Sequence, residues 1–466
     1  MNKTLSKILW RTVKIGLWTG GVLLLLFILL GPLMQKCKGF SDGDFMYLRP
    51  PKDKAAGERT TSLYRVSGKT RGMEEFDIPA TASYKGKACR ITRIREEAFS
   101  SCSNLTRITI PEGITLVGNG AFSYCTNLTN IKVAQGNKNY TSVDGVLFTI
   151  DMSSIAAYPA RKKEETYTIP NTVTDIGGGA FHSCFVLTNI TIPEGVVSIG
   201  EKAFAGCDSL ANITIPESVA SIGWNAFTDC SSLTNIAIPN TVTNIGGRAF
   251  EGCVNLTKIV IPQGVTTLNY GTFLSCSGLT NITIPNTVTN IGEAAFSGCS
   301  GLTDIAIPDT VTNIGGGVFA GCESLASITI PESVTSIGGR AFARCTSLTN
   351  VTIPEGVTSI DGEAFYRCTG LTNITIPESV TAIGREAFYG CTGLTSVTIP
   401  EGVNRIEERA FQECKNLKNV YFKGPPSENF IRAFYGNTIL HYIEGTPGWT
   451  TPEWNGFTTR IWVPES

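Results

Sequence analysis

Ala203-Phe204-x-x-Cys207-x-x-Leu210-x-x-Ile213-x-Ile215-Pro216-x-x-Val219-x-x-Ile222-Gly223 is one unit of a pattern that fills most of this 466-residue chain. Cysteines stand at 102, 125, 184, 207, 230, 253, 276, 299, 322, 345, 368, 391 and 414. Every interval is 23 residues except the 59 between Cys125 and Cys184, one period plus a 36-residue insertion. A phenylalanine precedes each of these cysteines by three, from Phe99 to Phe411. A last unit carries Phe434 and Leu440, with Asn437 in the cysteine's place. A fixed period of this length is the signature of stacked repeats and takes precedence over any local reading.

Each unit reads as three short sides. Leu210-x-x-Ile213-x-Ile215 has the two-residue alternation of a strand, with Ile213 and Ile215 inward and Asn212 and Thr214 outward. Proline lacks an N–H and stops the strand at the same place in successive units (Pro111, Pro193, Pro216, Pro239, Pro262). Val219-x-x-Ile222 is a second inward segment. Gly223 is expected to take a positive φ, an angle that Asn269 and Asp361 tolerate at the same position and that does not suit Glu407. Ala203-Phe204 makes the third side and plugs the interior. One unit cannot bury its own apolar face, so units must stack. The expected fold is a mainly β repeat solenoid with short irregular or 3-10 turns, about 14 turns of 23 residues, preceded by one N-terminal transmembrane helix.

The cysteines are structural on this reading. Thirteen ladder positions cannot all pair, and no Cys-x-x-Cys zinc spacing occurs. Exchange for Asn437 points to small, buried, hydrogen-bonding plugs, reduced and inaccessible. Cys37 and Cys89 lie off the ladder and are expected to react first with a thiol reagent.

Outside the repeats, Lys3, Lys7, Arg11 and Lys14 precede an uncharged stretch of 21 residues from Ile15 to Gln35. About 20 apolar residues span a bilayer as a helix. Trp10 and Trp18 suit the headgroup region, and no small-residue cleavage site follows Gly31-Pro-Leu-Met-Gln35. The expected organisation is a cytoplasmic basic tail (1–14), a transmembrane signal anchor (15–35), a flexible stalk (36–62), repeats (63–423) with a hairpin insertion at about 134–168, and a last repeat with its cap (424–466). A cleaved signal peptide is the alternative to the anchor. Either way the body is expected outside the cytoplasm, at the cell surface or in a periplasm. Residues 1–97 carry 18 Lys/Arg against 9 Asp/Glu, and 98–422 carry 17 against 26, so a basic leader precedes an acidic body.

The formal charge of −1 argues against nucleic acid as a partner. Two histidines, His182 and His441, leave little scope for imidazole acid–base chemistry. No glycine-rich loop opens a helix and no nucleophile motif is present. No enzyme activity, cofactor or metal is expected.

The pattern Cys-x-x-Leu-x-x-Ile-x-Ile-Pro-x-x-Val-x-x-Ile-Gly-x-x-Ala-Phe resembles the BspA-like leucine-rich repeats, also called the Treponema pallidum type, over about residues 76–440. The insertion, Tyr140-Thr-Ser-Val-Asp-Gly145-Val-Leu-Phe148 then Ile155-Ala-Ala-Tyr158, is similar to a hairpin of that family, and its Asp-Gly turn supports a hairpin independently. Residues 64–94 resemble the family's entry unit. Residues 445–462 resemble its closing cap, where three tryptophans (Trp449, Trp454, Trp462) are expected to seal the open end. The resemblance implies a right-handed leucine-rich-repeat arc, and surface-exposed proteins of host-associated microbes that bind extracellular proteins or cells, without enzyme activity or cofactor. A passive structural or spacing role in the cell envelope is the alternative.

Three surface features are candidates for binding. Outward strand positions form an Asn column and a Thr column, including Asn350, Asn373, Thr352 and Thr375, which would suit proteins or glycans. Carboxylates follow the strand-ending proline in most units (Glu112, Glu194, Glu217, Asp309, Glu332, Glu355, Glu378, Glu401), giving an acidic ridge. The sharpest signal is Arg344 and Arg367 at equivalent places in adjacent turns, with Tyr366 and Tyr389 likewise one place earlier. Arg and Tyr are favoured interface anchors. Arg340, Glu363, Glu386 and Arg409 share a third column and are expected to pair with one another.

Overall fold

The computed structural model describes residues 39–42, 45–48, 60–66, 72–427, 430, 432–434 and 438–464. The expected cytoplasmic tail and membrane anchor, Cys37 and Asn437 lie outside them. Among the described residues no helix is long and apolar enough to cross a membrane.

The 23-residue period becomes a mainly β solenoid of about 16 turns with almost no helix. Equivalent residues pair in parallel from turn to turn: Asn189–Thr191 on Asn212–Thr214, and Ser198–Ile199 on Ser221–Ile222. These are the two strand-like sides expected from the alternation, with Ile213 and Ile222 buried. Among the described residues the third side is almost free of regular helix. It is a chain of i→i+3 bonded turns, such as Ala203 N to Gly200 O (3.2 Å) and Cys207 N to Phe204 O (3.2 Å). Two residues per turn there have positive φ, for instance Lys202 (54°) and Gly206 (69°). That backbone angle aims their N–H groups along the solenoid, at Trp224 O and Thr228 O of the next turn, both at 2.8 Å. Left-handed residues on this side are therefore required by the inter-turn hydrogen bonds.

Gly223 does not have the positive φ expected of it. It is small because a Cβ there would lie 2.6 Å from Glu201 N and Gly200 C of the previous turn. At Asn269 and Glu407 the side chain bonds to the previous turn instead, whereas Asp361 Oδ1 accepts from Ser359 Oγ of its own turn (3.3 Å). Asn269 Nδ2 donates to Ile245 O (2.7 Å), and Glu407 Oε2 accepts from Arg385 N (2.9 Å), which accounts for the glutamate.

The interior is two ladders. From Phe181 to Phe434 successive rings stack at 5.0–5.7 Å between centroids and within 15° of parallel. Beside them the cysteine thiols from Cys207 to Cys414 donate to the phenylalanine carbonyl of the preceding turn, as Cys276 Sγ does to Phe250 O (3.0 Å) and Cys391 Sγ to Phe365 O (3.0 Å), while Cys184 donates to Tyr158 O (3.9 Å). The position thus needs a small donor. Burial pushes the thiols of Cys276 and Cys391 well above their ordinary range. Cys89, expected to be reactive, is buried with no exposed surface.

Two expected boundaries move, and one expected cap residue does not act as a cap. Gly39–Asp42 and Phe45–Leu48 form a hairpin whose second strand pairs with Thr60–Val66, and Tyr47 is buried; these parts of the expected stalk belong to the folded body. The alternation of Phe45 and Tyr47 is too short to register against the surrounding Gly, Pro and charge. The insertion also ends earlier than 168. Its strands are Tyr140–Val143, Val146–Thr149 and Ser154–Ala157. From Tyr158 the chain is a regular turn: Tyr158 stacks on Phe181 (5.2 Å), and Thr166–Thr168 pairs with Asn189–Thr191. Arg161 at the cysteine place conceals that turn in the sequence. Finally, Trp449 and Trp454 seal the end of the stack, whereas Trp462 is half-exposed on the outward sheet face.

Candidate functional site

Arg344 and Arg367 sit at the second left-handed position of their turns, with φ of 62° and 56°. Neighbouring turns use Gly206, Gly252, Gly298, Gly321 and Gly390 there, since an L-residue in this region is strained by about 1–2 kcal/mol. The backbone N–H of Arg344 donates to Tyr366 O and that of Arg367 to Tyr389 O, each at 2.7 Å. These bonds fix the spacing of the four residues. Both arginines are exposed, and the two tyrosines are half-buried.

The rings of Tyr366 and Tyr389 stack at 5.2 Å and 10°, and the Arg367 guanidinium lies 5.3 Å from the Tyr366 ring centre. Among the described residues neither Arg344 nor Arg367 pairs with a carboxylate, whereas the adjacent column is neutralised internally. Arg340 grips Glu363 with two bonds (2.8 and 2.9 Å), and Arg409 meets Glu386 at 3.5 Å. The expected pairing in that column is therefore present.

The patch is a step, not a plane. On one side of Tyr366 the outward residues shrink to Ser297, Gly298, Ala320, Gly321 and Ala343, which floor a recess of about 750 Å³ walled by Tyr366, Arg340 and Arg344. The arrangement offers an uncompensated cation beside an aromatic wall over a small-residue floor, suited to an acidic or aromatic group of a partner. A column-by-column comparison of residue size would have revealed the floor in the sequence.

Asn350, Thr352, Asn373 and Thr375 face outward from paired strands, Asn350 on Asn373 and Thr352 on Thr375. The structure does not unite them with the Arg/Tyr group. The recess beside Arg344 includes none of the four, and the groove over Asn373 and Thr375 includes no residue of the Arg/Tyr group. The acidic ridge is exposed at all eight positions. Lys423 reaches back to Glu378 across it (2.6 Å).

Two surface features have no counterpart in the sequence reading. Trp224 and Tyr270, two turns apart, stack at 6.5 Å because the intervening residue is Gly247; a Cβ there would come within 2.6 Å of the indole. Arg248 lies 5.0 Å from the Tyr270 ring centre. At the C-terminal end, Tyr421, His441 and Trp462 cluster on the sheet face.

With the geometry in place, the likenesses to known proteins fall in line. A family model described as BspA type leucine rich repeat region matches residues 87–156, 157–280, 269–370 and 359–458. A leucine-rich repeat protein from Bacteroides ovatus, solved as a crystal structure, is 29% identical over 87% of this chain and 100% of its own, with a TM-score of 0.55. A leucine rich cell surface protein from Faecalibacterium prausnitzii is 30% identical, over 72% of this chain and 94% of its own, with a TM-score of 0.44. A leucine-rich repeat protein of T. pallidum is 24% identical over 57% of this chain and 91% of its own, with a TM-score of 0.29. No curated protein matches the chain. The 23-residue unit, its Phe and Cys ladders and the matched family model together place this chain in the BspA-type leucine-rich repeat family.

Proposed function

We propose that this chain is a non-catalytic binding protein displayed outside the cytoplasm on the anchor of residues 15–35, and that it captures a protein partner through Arg344, Tyr366, Arg367 and Tyr389. The observation that carries this reading is Arg344 and Arg367 side by side without a carboxylate partner, next to a column in which Arg340 and Arg409 are each paired. The repeat does not need arginine there, because most turns hold glycine or a small residue at that place. Two strained positions with adjacent like charges are a local cost that a docked acidic surface would offset. The F. prausnitzii relative is described as a cell surface protein, which supports the location.

Capture of extracellular matrix proteins and host-type cells by the wild type and by the R344A/R367A double variant tests the site. Exposed truncations should change folding by no more than about 0.5 kcal/mol. They should weaken a confirmed partner by more than about 1 kcal/mol. Undiminished capture with unchanged circular dichroism would reject the site, and a chain that captures nothing would favour the spacer role. Amino-terminal sequencing of the membrane-extracted protein should begin at Met1; a start beyond residue 30 would reject the anchor.

A further inference from the structure

We propose that the outward sheet face at the C-terminal end of the solenoid is a second, independent binding site, a groove for a neutral oligosaccharide. The outward threonine column, Thr352, Thr375 and Thr398, changes character at its end. Tyr421 stands in register with Thr398, His441 with Tyr421, and Arg460 with His441. A flat floor of small hydroxyl and amide groups therefore runs into a raised wall. The Tyr421 ring stacks on His441 (4.5 Å, 24°) and meets Trp462 at 5.0 Å. His441 Nε2 donates to Asn419 Oδ1 (2.9 Å), which fixes the ring. Asn373, Thr375, Ser396 and Thr398 on the floor, Tyr421 and Trp462 on the wall, and Glu355, Glu378 and Lys423 on the rim enclose about 780 Å³. That is within the range of small-ligand sites.

Trp462 is the informative residue. The cap does not use it, since Trp449 and Trp454 seal the stack and Trp449 Nε1 donates to Gly424 O (3.1 Å). The indole N–H of Trp462 has no acceptor among the described residues, so an apolar ring with a free donor stands at the edge of a polar floor. Such a side chain offers one apolar face and one polar tip to whatever it meets.

Charge and polarity select the ligand class. Lys423 is neutralised by Glu378 at 2.6 Å, and Glu355 adds an unpaired carboxylate, so an anionic ligand is disfavoured. Burial and the Arg460 charge hold His441 below its ordinary range, so the ring behind Tyr421 is neutral at neutral pH, and Arg460 is not among the residues that line the groove. The floor is too polar to bury aliphatic side chains. The strand Asn419–Phe422 is paired on both sides, to Ser396–Ile399 and to Ile439–Ile443, so it offers no free edge to an added peptide strand. A sugar ring satisfies both surfaces. Its C–H face packs on the Tyr421 and Trp462 rings, while its hydroxyls bond to Asn373, Thr375, Ser396, Thr398 and the rim carboxylates.

The test is a panel of neutral oligosaccharides (gluco-, manno-, xylo-, galacto- and N-acetylglucosamine hexamers) titrated against the full chain, read by tryptophan fluorescence and calorimetry. At least one should bind. W462A and Y421A should weaken it at least tenfold, W462F should restore most of the affinity, and R344A/R367A should leave it unchanged. S396R blocks the floor without touching the cap and should abolish binding in a chain with unaltered circular dichroism. Binding of none of the panel, binding of anionic sugars alone, or affinity that survives both W462A and S396R would overturn the proposal. None of these outcomes bears on the Arg344 site, which uses other residues and another ligand class.

Discussion

Replacing Cys276 by alanine and, separately, by serine measures what the cysteine ladder contributes. Its thiol is fully buried and donates at 3.0 Å to Phe250 O, a carbonyl that also accepts the backbone N–H of Cys253 (3.2 Å). Alanine removes a weak donor worth about 0.5–1 kcal/mol. It also forfeits the burial of a group near methylene size, about 0.8 kcal/mol. The methyl-sized void adds about 0.5 kcal/mol if the turns do not close on it. Together these make C276A roughly 2 kcal/mol less stable. Serine keeps a donor facing the same carbonyl, so C276S is expected to cost no more than C276A. In a site without that hydrogen bond the order would reverse, because a buried unsatisfied hydroxyl costs about 1–3 kcal/mol. Urea denaturation followed by circular dichroism gives the totals. Amide exchange across residues 273–279 localises them, since each turn contacts only its neighbours. Serine worse than alanine by more than about 1 kcal/mol would refute the hydrogen-bonded ladder.

Other outcomes follow from the same packing. In the native state a thiol reagent should leave Cys89 and the ladder cysteines unmodified until denaturant is added, and rapid labelling of Cys89 would contradict its burial. G246A places a Cβ 2.4 Å from Trp224 N and should destabilise by more than about 2 kcal/mol in a melt, whereas G72A, with nothing within 4 Å, should be neutral. His182 is buried against Tyr124 at 4.3 Å, and desolvation, aided by the Lys202 charge, lowers its pKa to about 4. A histidine held below its unfolded value of about 6.5 gives stability that is complete above that pH and lost as pH falls toward 4, up to about 3 kcal/mol. Denaturation between pH 7 and 4 should show that loss in the wild type and much less in H182F; equal slopes would show that His182 is not its source.

The repeat shows how far residues alone carry a fold. Phe204, Cys207, Leu210, Ile213 and Ile222 recur at one spacing, so their inward placement, the stacking of rings and the adjacency of Arg344 with Arg367 were all readable before any coordinates. Equivalent positions in a stacked repeat must neighbour one another, and this rule converts spacing into contact. It fails where the spacing is broken or the pattern is short. Tyr158 lies 23 residues before Phe181, yet Arg161 in the cysteine's place hides that turn within the insertion. The hairpin at Phe45–Leu48 contributes too few apolar residues to outweigh its flanks.

The sequence by itself determined the solenoid, its ladders and the columns of outward residues, because these depend only on period and polarity. Tertiary structure alone decided why Gly223 is glycine, since a neighbour 2.6 Å away in another turn is invisible to a local φ argument. It also decided that Arg344 borders a recess, that Trp462 faces outward, and that the Asn/Thr and Arg/Tyr groups are separate surfaces. The physical reason is the same in each case. Period fixes which residues are neighbours along the stack, but the path of the backbone around each turn, set by the hydrogen bonds of its left-handed residues, fixes which side they face and what lies beside them.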